Sequence, residues 1–260
     1  MLPSSYQYKN ITRIDLKRSH CTPQAIYQIC STSPALEHLV ISTDYDTSGR
    51  DHRIDGFGSQ GKYLSTGLAK LEHLKELVLN LHYSHDVKAV LGQHGVLNLA
   101  GLIELVKVRL PLHFLVEMQP GKDPFVTDPG QVLPPSVKHL TVWADMGSVR
   151  SWGVTGWFPN HPRTGPPYHP RQSALDFLDS VSTRVTDHFK DLKEITYCYR
   201  DQALSTTCRC DIDESCSRCE ASQLLYPYGE EDSSAQMQIL SSRFGDHGIH
   251  LIALQEEAED

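Results

Sequence analysis

The stretch "LKELVLNL", residues 74–81, decides how the chain is read. Leu74, Leu77 and Leu79 are spaced apolar, two residues, apolar, one residue, apolar. The last two alternate with Glu76, Val78 and Asn80, the period of a short strand with one buried face. Leu74, three residues before Leu77, falls in the turn entering that strand. The same pattern recurs as Ile11-Ile14-Leu16, Leu36-Leu39-Ile41, Leu105-Val108-Leu110, Val137-Leu140-Val142, Leu192-Ile195-Tyr197 and Ile249-Ile252-Leu254. That gives seven copies whose starts differ by 25, 38, 31, 32, 55 and 57 residues.

Helix-like segments lie between the copies. In "TPQAIYQICSTSP" (22–34), Thr22 is placed to cap, Pro23 takes the first helical position, and Ile26, Ile29 and Cys30 share a face. Segment 84–95 carries Val87, Val90 and Leu91. Segment 173–189 carries the stripe Leu175, Leu178, Val181, Val185 and Phe189. Segment 233–248 carries Met237, Leu240 and Phe244, closed by Gly245 or Gly248. Strand, helix, strand in succession implies crossover connections and a parallel sheet. Neither element buries its apolar side alone, so stacked neighbours must supply the missing surface. The expected fold class is α/β: a solenoid over 1–260 as one domain, with a parallel sheet on a concave face and helices outside.

"NITRIDLKRSHCTPQAIYQICSTSPALEHLVIS" resembles an irregular, helix-containing leucine-rich repeat, and "SPALEHLVI" is similar to the phrase that often opens such strands. The uneven spacing resembles the repeat region of fungal F-box/leucine-rich-repeat proteins, over about residues 10–145. The resemblance implies a substrate-recognising part of a ubiquitin-ligase receptor. Two departures stand beside it. The asparagine common after the third apolar position is missing from most units, Asn80 coming nearest. No F-box precedes the first repeat, so these residues do not support adaptor binding.

Three segments read as insertions. They are 118–136 and 153–172, rich in Pro and Gly, and 199–232, which holds the cysteines. Residues 42–63 read as a polar excursion. Trp152, Trp157, Phe158 and Tyr168 are expected to pack back on the repeats, partner contact being the alternative.

Four of seven cysteines, Cys208, Cys210, Cys216 and Cys219, form C-x-C-x5-C-x2-C. The C-x2-C pair has ordinary zinc spacing, since two thiolates on one tight turn reach a single tetrahedral ion. The C-x-C pair is less usual, and Cys198 could replace one member. A structural zinc clip and an exposed cysteine-rich loop both fit; no cofactor is otherwise required. Gly56, Gly58 and Gly61 match a dinucleotide fingerprint but lack the preceding core strand. Fourteen scattered histidines, without H-E-x-x-H, read as single surface residues. There is no G-x-S-x-G.

A net charge of −8 carries no basic nucleic-acid footprint. No segment has the ~20 apolar residues of a membrane span. No signal peptide and no spread disulfide framework appear, so the expected setting is a reducing compartment, cytoplasm or nucleus. The expected function is non-catalytic protein recognition. An α/β enzyme, or a small zinc-binding protein built on Cys208–Cys219, is the alternative. Alternation puts Arg13, Asp15, Lys17, His38, Val40, Glu76, Val78, Asn80, Lys107, Arg109, His139, Thr141, Trp143, Glu194 and Thr196 toward a protein partner, with Trp143 exposed as the central anchor. One register slip would invert these assignments.

Overall fold

A computed structural model describes residues 7–17, 23–43, 60–81, 96–117, 125–126, 128–145, 170–200 and 230–255. Seven strands form one parallel sheet. They are β1 (Arg13–Leu16), β2 (His38–Thr43), β3 (Glu76–Leu81), β4 (Lys107–Pro111), β7 (His139–Asp145), β8 (Glu194–Arg200) and β9 (His250–Gln255), and they lie side by side in chain order. A small antiparallel pair, β5 (Val116–Glu117) with β6 (Phe125–Val126), sits between β4 and β7 in sequence.

The recurring triplets set the register. Ile14, Leu39, Leu77, Val108, Leu140, Ile195 and Leu251 align across the sheet as one row. Leu16 pairs with Ile41 and Ile41 with Leu79; Leu110 pairs with Val142 and Val142 with Tyr197. From β2 to β8 both rows are buried. Burying one such aliphatic side chain contributes about 1.5–3 kcal/mol, which outweighs any preference in the half-exposed residues alternating with them.

The turn residues Leu36, Leu74, Leu105, Val137 and Leu192 are buried in the same core. At the entries of β2, β3, β4, β7 and β8 one carbonyl accepts two N–H groups of the next unit. Thr12 O takes Glu37 and His38, Glu37 O takes Lys75 and Glu76, Lys75 O takes Val106 and Lys107, Val106 O takes Lys138 and His139, and Lys138 O takes Lys193 and Glu194, all at 2.8–3.2 Å. These five entries are stitched alike although the units differ in length; at β9 the His250 N–H alone reaches the preceding unit, at Lys193 O (2.9 Å).

Helices α1 (Pro23–Thr32), α2 (Gln60–Leu68), α4 (Pro170–Thr183) and α5 (Glu230–Asp246) contribute Ile26, Cys30, Leu64, Leu68, Ala174, Leu175, Phe177, Leu178, Val181, Leu240 and Phe244 to that core. α1 packs on α2, and α4 on α5. α2 lies partly inside the stretch expected to be an excursion. Gly67 lets it approach α1: a Cβ there would sit 3.0 Å from the Cα of Tyr27.

Segment 118–136 is more than a loop. Asp128 caps the four-residue helix α3 (Pro129–Val132) through the Gly130 N–H at 3.0 Å, Pro129 takes the first helical position, and Val132 and Leu133 enter the core. The stripe expected over 173–189 is buried, but α4 stops at Thr183. Beyond it the His188 and Phe189 N–H groups share the Arg184 carbonyl, widening the turn while still delivering Val185 and Phe189 to the core. β8 extends to Arg200 and α5 begins at Glu230, narrowing the segment between them.

The last unit departs from expectation by one residue. Gly248, at φ 70°, ends α5; its N–H reaches Gly245 O, and the Ile249 N–H reaches Phe244 O at 2.9 Å. This is a Schellman closure, with Ile249 and Phe244 both buried. It runs straight into β9, so Ile249 precedes the core-row Leu251 by two residues rather than three. Ile252 and Leu254, read as inward, are therefore turned out, 37% and 48% exposed.

The helix expected at 84–95, Gly56 and Gly58, His82, His85, His161 and His169, the aromatics of 152–168 and the cysteines 208–219 lie outside the described residues. Among the described residues, no helix is long and apolar enough to cross a membrane.

Candidate functional site: the outward face of the sheet

All-parallel sheets are ordinarily covered on both faces. Here the described helices pack against the leucine rows, and the alternating residues of the other face remain accessible over most of the sheet. Three outward rows cross the strands. The first is Arg13, His38, Glu76, Lys107, His139, Glu194, His250. The second is Asp15, Val40, Val78, Arg109, Thr141, Thr196, Ile252. The third pairs Ser42 with Asn80, then Pro111, Trp143, Cys198 and Leu254 in succession.

The first row is an alternating charge ladder. Glu76 accepts from Lys107 Nζ at 2.9 Å and lies 3.1 Å from His38 Nδ1. His139 Nδ1 stands 3.9 Å from Glu194. Lys107 holds the Glu76 carboxyl below the usual glutamate range; partial burial opposes it and His38 adds to it. At the sheet edge Asp15 lies 3.8 Å from Arg13 and 3.7 Å from Lys17. Exposed pairs of this kind contribute at most about 1 kcal/mol each. Their effect is to offset Asp15 and Glu76 locally, not to hold the fold.

All eleven expected contact residues, Arg13, Asp15, Lys17, Glu76, Asn80, Lys107, Arg109, His139, Thr141, Trp143 and Glu194, fall on this side in strand alternation, Lys17 just past the end of β1. One differs in character. Trp143 is buried, only 6% exposed. Its register neighbours Pro111 and Cys198 are buried too, and the Arg109 guanidinium lies 4.6 Å from the indole centroid. A cation over the ring face is attracted by its quadrupole. The middle of the face is thus a stacked pair, the half-buried Arg109 over the buried indole. His250, Ile252 and Leu254 also lie on this face and were missed through the one-residue slip; Gly248 ahead of Ile249 was the signal that could have exposed it.

A second polar cluster lies beside α3. Asp128, Gly130, Gln131, Arg184, Asp187 and His188 line a dent of about 190 Å³. Arg184 pairs with Asp128 through Nε (3.2 Å) and a terminal nitrogen, and with Asp187 at 3.2 Å. His188 Nε2 donates to Leu133 O at 3.0 Å. The Arg184–Asp128 pair and the His188–Leu133 bond tie 128–133 to the turn after α4, the pattern of a structural clamp, while the Arg184–Asp187 bond lies within that turn.

Among the described residues, no group of three or more His, Cys, Asp or Glu side chains is arranged to hold a metal. Cys30 and Cys198 are buried, and burial pushes the Cys30 thiol up to about 12. Compared with known proteins, the chain matches no protein-family model, no curated protein and no solved structure.

Proposed function

We propose that the chain is a non-catalytic recognition module of the leucine-rich-repeat solenoid type, binding a protein partner across the outward face of its sheet. The single observation that carries this is an all-parallel sheet whose described helices cover one face only, leaving ordered rows of charged, hydroxyl and aliphatic side chains on the other. The carbonyl stitch repeated at the entries of β2, β3, β4, β7 and β8 supports the solenoid. Strand residues are better anchored than loop residues, so the face is presented to a partner already ordered. Within this proposal, the resemblance of the repeats makes the substrate-recognising part of a ubiquitin-ligase receptor the context to examine first.

The test is site-specific photo-crosslinking in cell extract. A photoreactive residue at Val78 or Thr141, on the face, is expected to capture one protein reproducibly. The same residue at Gln28, exposed on α1 on the opposite side, is expected to capture none in common with it. Equal capture from both sides would refute recognition through the face.

A further inference from the structure

We infer that β9 is the pairing edge of a symmetric dimer: the β9 strand of a second copy adds to it antiparallel, and the two sheets become one. This goes beyond recognition through the face and does not depend on it. The two edges of the sheet are unlike. β1 has four residues and carries Arg13 and Asp15, with Lys17 just past its end; Asp15 lies 3.8 Å from Arg13 and 3.7 Å from Lys17. β9 has six residues, "HLIALQ", with no Asp, Glu, Lys, Arg or Pro among them. A short, charged edge resists strand addition, and a longer aliphatic one invites it. Among the described residues β9 has one strand neighbour, β8.

The sheet is unfinished at this edge. Ile195 is fully buried, whereas Leu251 beside it is half-buried; Tyr197 is buried, whereas Ala253 beside it is exposed. Ile252 and Leu254 are exposed on the other face. Apolar groups thus stand open on both sides of one strand, and an added strand covers both sides at once.

The backbone selects the occupant and its register. The His250 N–H is bonded to Lys193 O at 2.9 Å. Backbone groups alternate sides along a strand, so Ile252 and Leu254 also turn theirs toward β8. Leu251, Ala253 and Gln255 turn theirs to the open edge, where they require partners. A two-fold axis through Ala253, perpendicular to the sheet, sets Ala253 opposite Ala253 and Leu251 opposite Gln255, as pairs that exchange both bonds. On the outward face the same axis sets Ile252 opposite Leu254, twice, an aliphatic match. An axis through Ile252 would instead oppose His250 to Leu254 and break that match. β9 is therefore complementary to itself, and no like charges meet. Head-to-tail addition to β1 of another copy would desolvate Arg13 and Asp15. The perpendicular axis keeps both helix layers on one side and both outward faces on the other. One six-residue strand makes a small contact, in the class below about 1,200 Å², so the association is weak and concentration-dependent.

The experiment is sedimentation equilibrium of the full chain over an about thousand-fold range of concentration. The mass is expected to rise from 29.2 kDa toward twice that value and stop there. Ala253→Pro removes an N–H that β8 does not use; the fold should be kept, as urea unfolding would show, and the dimer lost. Ile252→Glu and Leu254→Lys should each weaken dimerisation about ten-fold, since each spoils two equivalent cross-strand pairs. An equimolar mixture of those two variants should recover dimer, because the register sets the new carboxylate opposite the new ammonium. A monomer at every concentration, a dimer indifferent to Ala253→Pro in the folded variant, or a mass that keeps rising past the dimer each overturns the symmetric β9 pairing. A mixture no more dimeric than its components overturns the register.

Discussion

Replacing Leu79 and Val78, adjacent residues of β3, by alanine tests the premise on which every functional statement depends. Leu79 is fully buried among the leucine rows, whereas Val78 points to the outward face and is half-buried. Leu79→Ala loses the transfer free energy of the deleted carbons and leaves a cavity that neighbours Ile41 and Leu77 cannot fill without moving, a loss of about 2–5 kcal/mol. Val78→Ala removes two methyl groups from a site with partial access to water, and should cost about 1 kcal/mol or less. The difference, at least about 1 kcal/mol, is roughly five-fold or more in the folding equilibrium and is resolved by urea titrations followed by circular dichroism. Thr141→Ala and Val142→Ala form a second such pair on β7, with Val142 the buried member. Were Val78→Ala to cost as much as Leu79→Ala, both faces would be covered, and the outward face could not be a recognition surface.

Gly67→Ala should destabilise the protein by about 1–2 kcal/mol, because the new methyl meets backbone of α1 at 3.0 Å and outweighs the gain in helix propensity; a lowered thermal midpoint would show it. Cys30 and Cys198 should resist alkylation in the native protein at mildly alkaline pH and react fully in denaturant, as read by peptide mass mapping, since both are buried and the Cys30 thiol is pushed up to about 12. Arg184 holds the Asp128 carboxyl below the usual aspartate range, with burial opposing and the Gly130 N–H assisting. The folded value is the lower one, so the stabilisation is complete above about pH 4, the unfolded aspartate value, and is lost as pH falls through the folded value. Asp128→Asn should therefore flatten the acid limb of the stability profile by no more than about 1 kcal/mol, this pair being partly exposed; an unchanged acid limb would count against the clamp.

Much of the architecture is legible in the spacing of apolar residues alone. Six of the seven triplets name the core rows correctly, because a buried strand face and a buried turn impose the same intervals wherever they occur: Leu36, Leu39 and Ile41 repeat the environment of Leu74, Leu77 and Leu79. The polar residues between them fall on one face for the same reason, which is why the contact list needs no coordinates to be drawn up. α2 was obscured because "QGKYLSTGL" has two glycines and one short apolar stripe, weak local preference that packing against α1 overrides.

What the linear sequence could not decide are the properties that depend on neighbours distant in the chain. The fate of Ile252 and Leu254 turned on a helix closure at Gly248 that shortens the approach to β9 by one residue. Trp143 reads as an exposed anchor from alternation, yet Pro111 and Cys198, brought alongside by parallel pairing, and Arg109 across its ring make it a platform. From β1 to β4 and on β7 and β8, the sequence by itself determined which alternating residues turn toward the helices and which turn away, since those follow from period and spacing. Only the tertiary structure decided what stands next to what on that outward face, because lateral order in a parallel sheet joins residues separated by whole repeats. The charge ladder of Glu76, Lys107 and His139 exists solely through that juxtaposition.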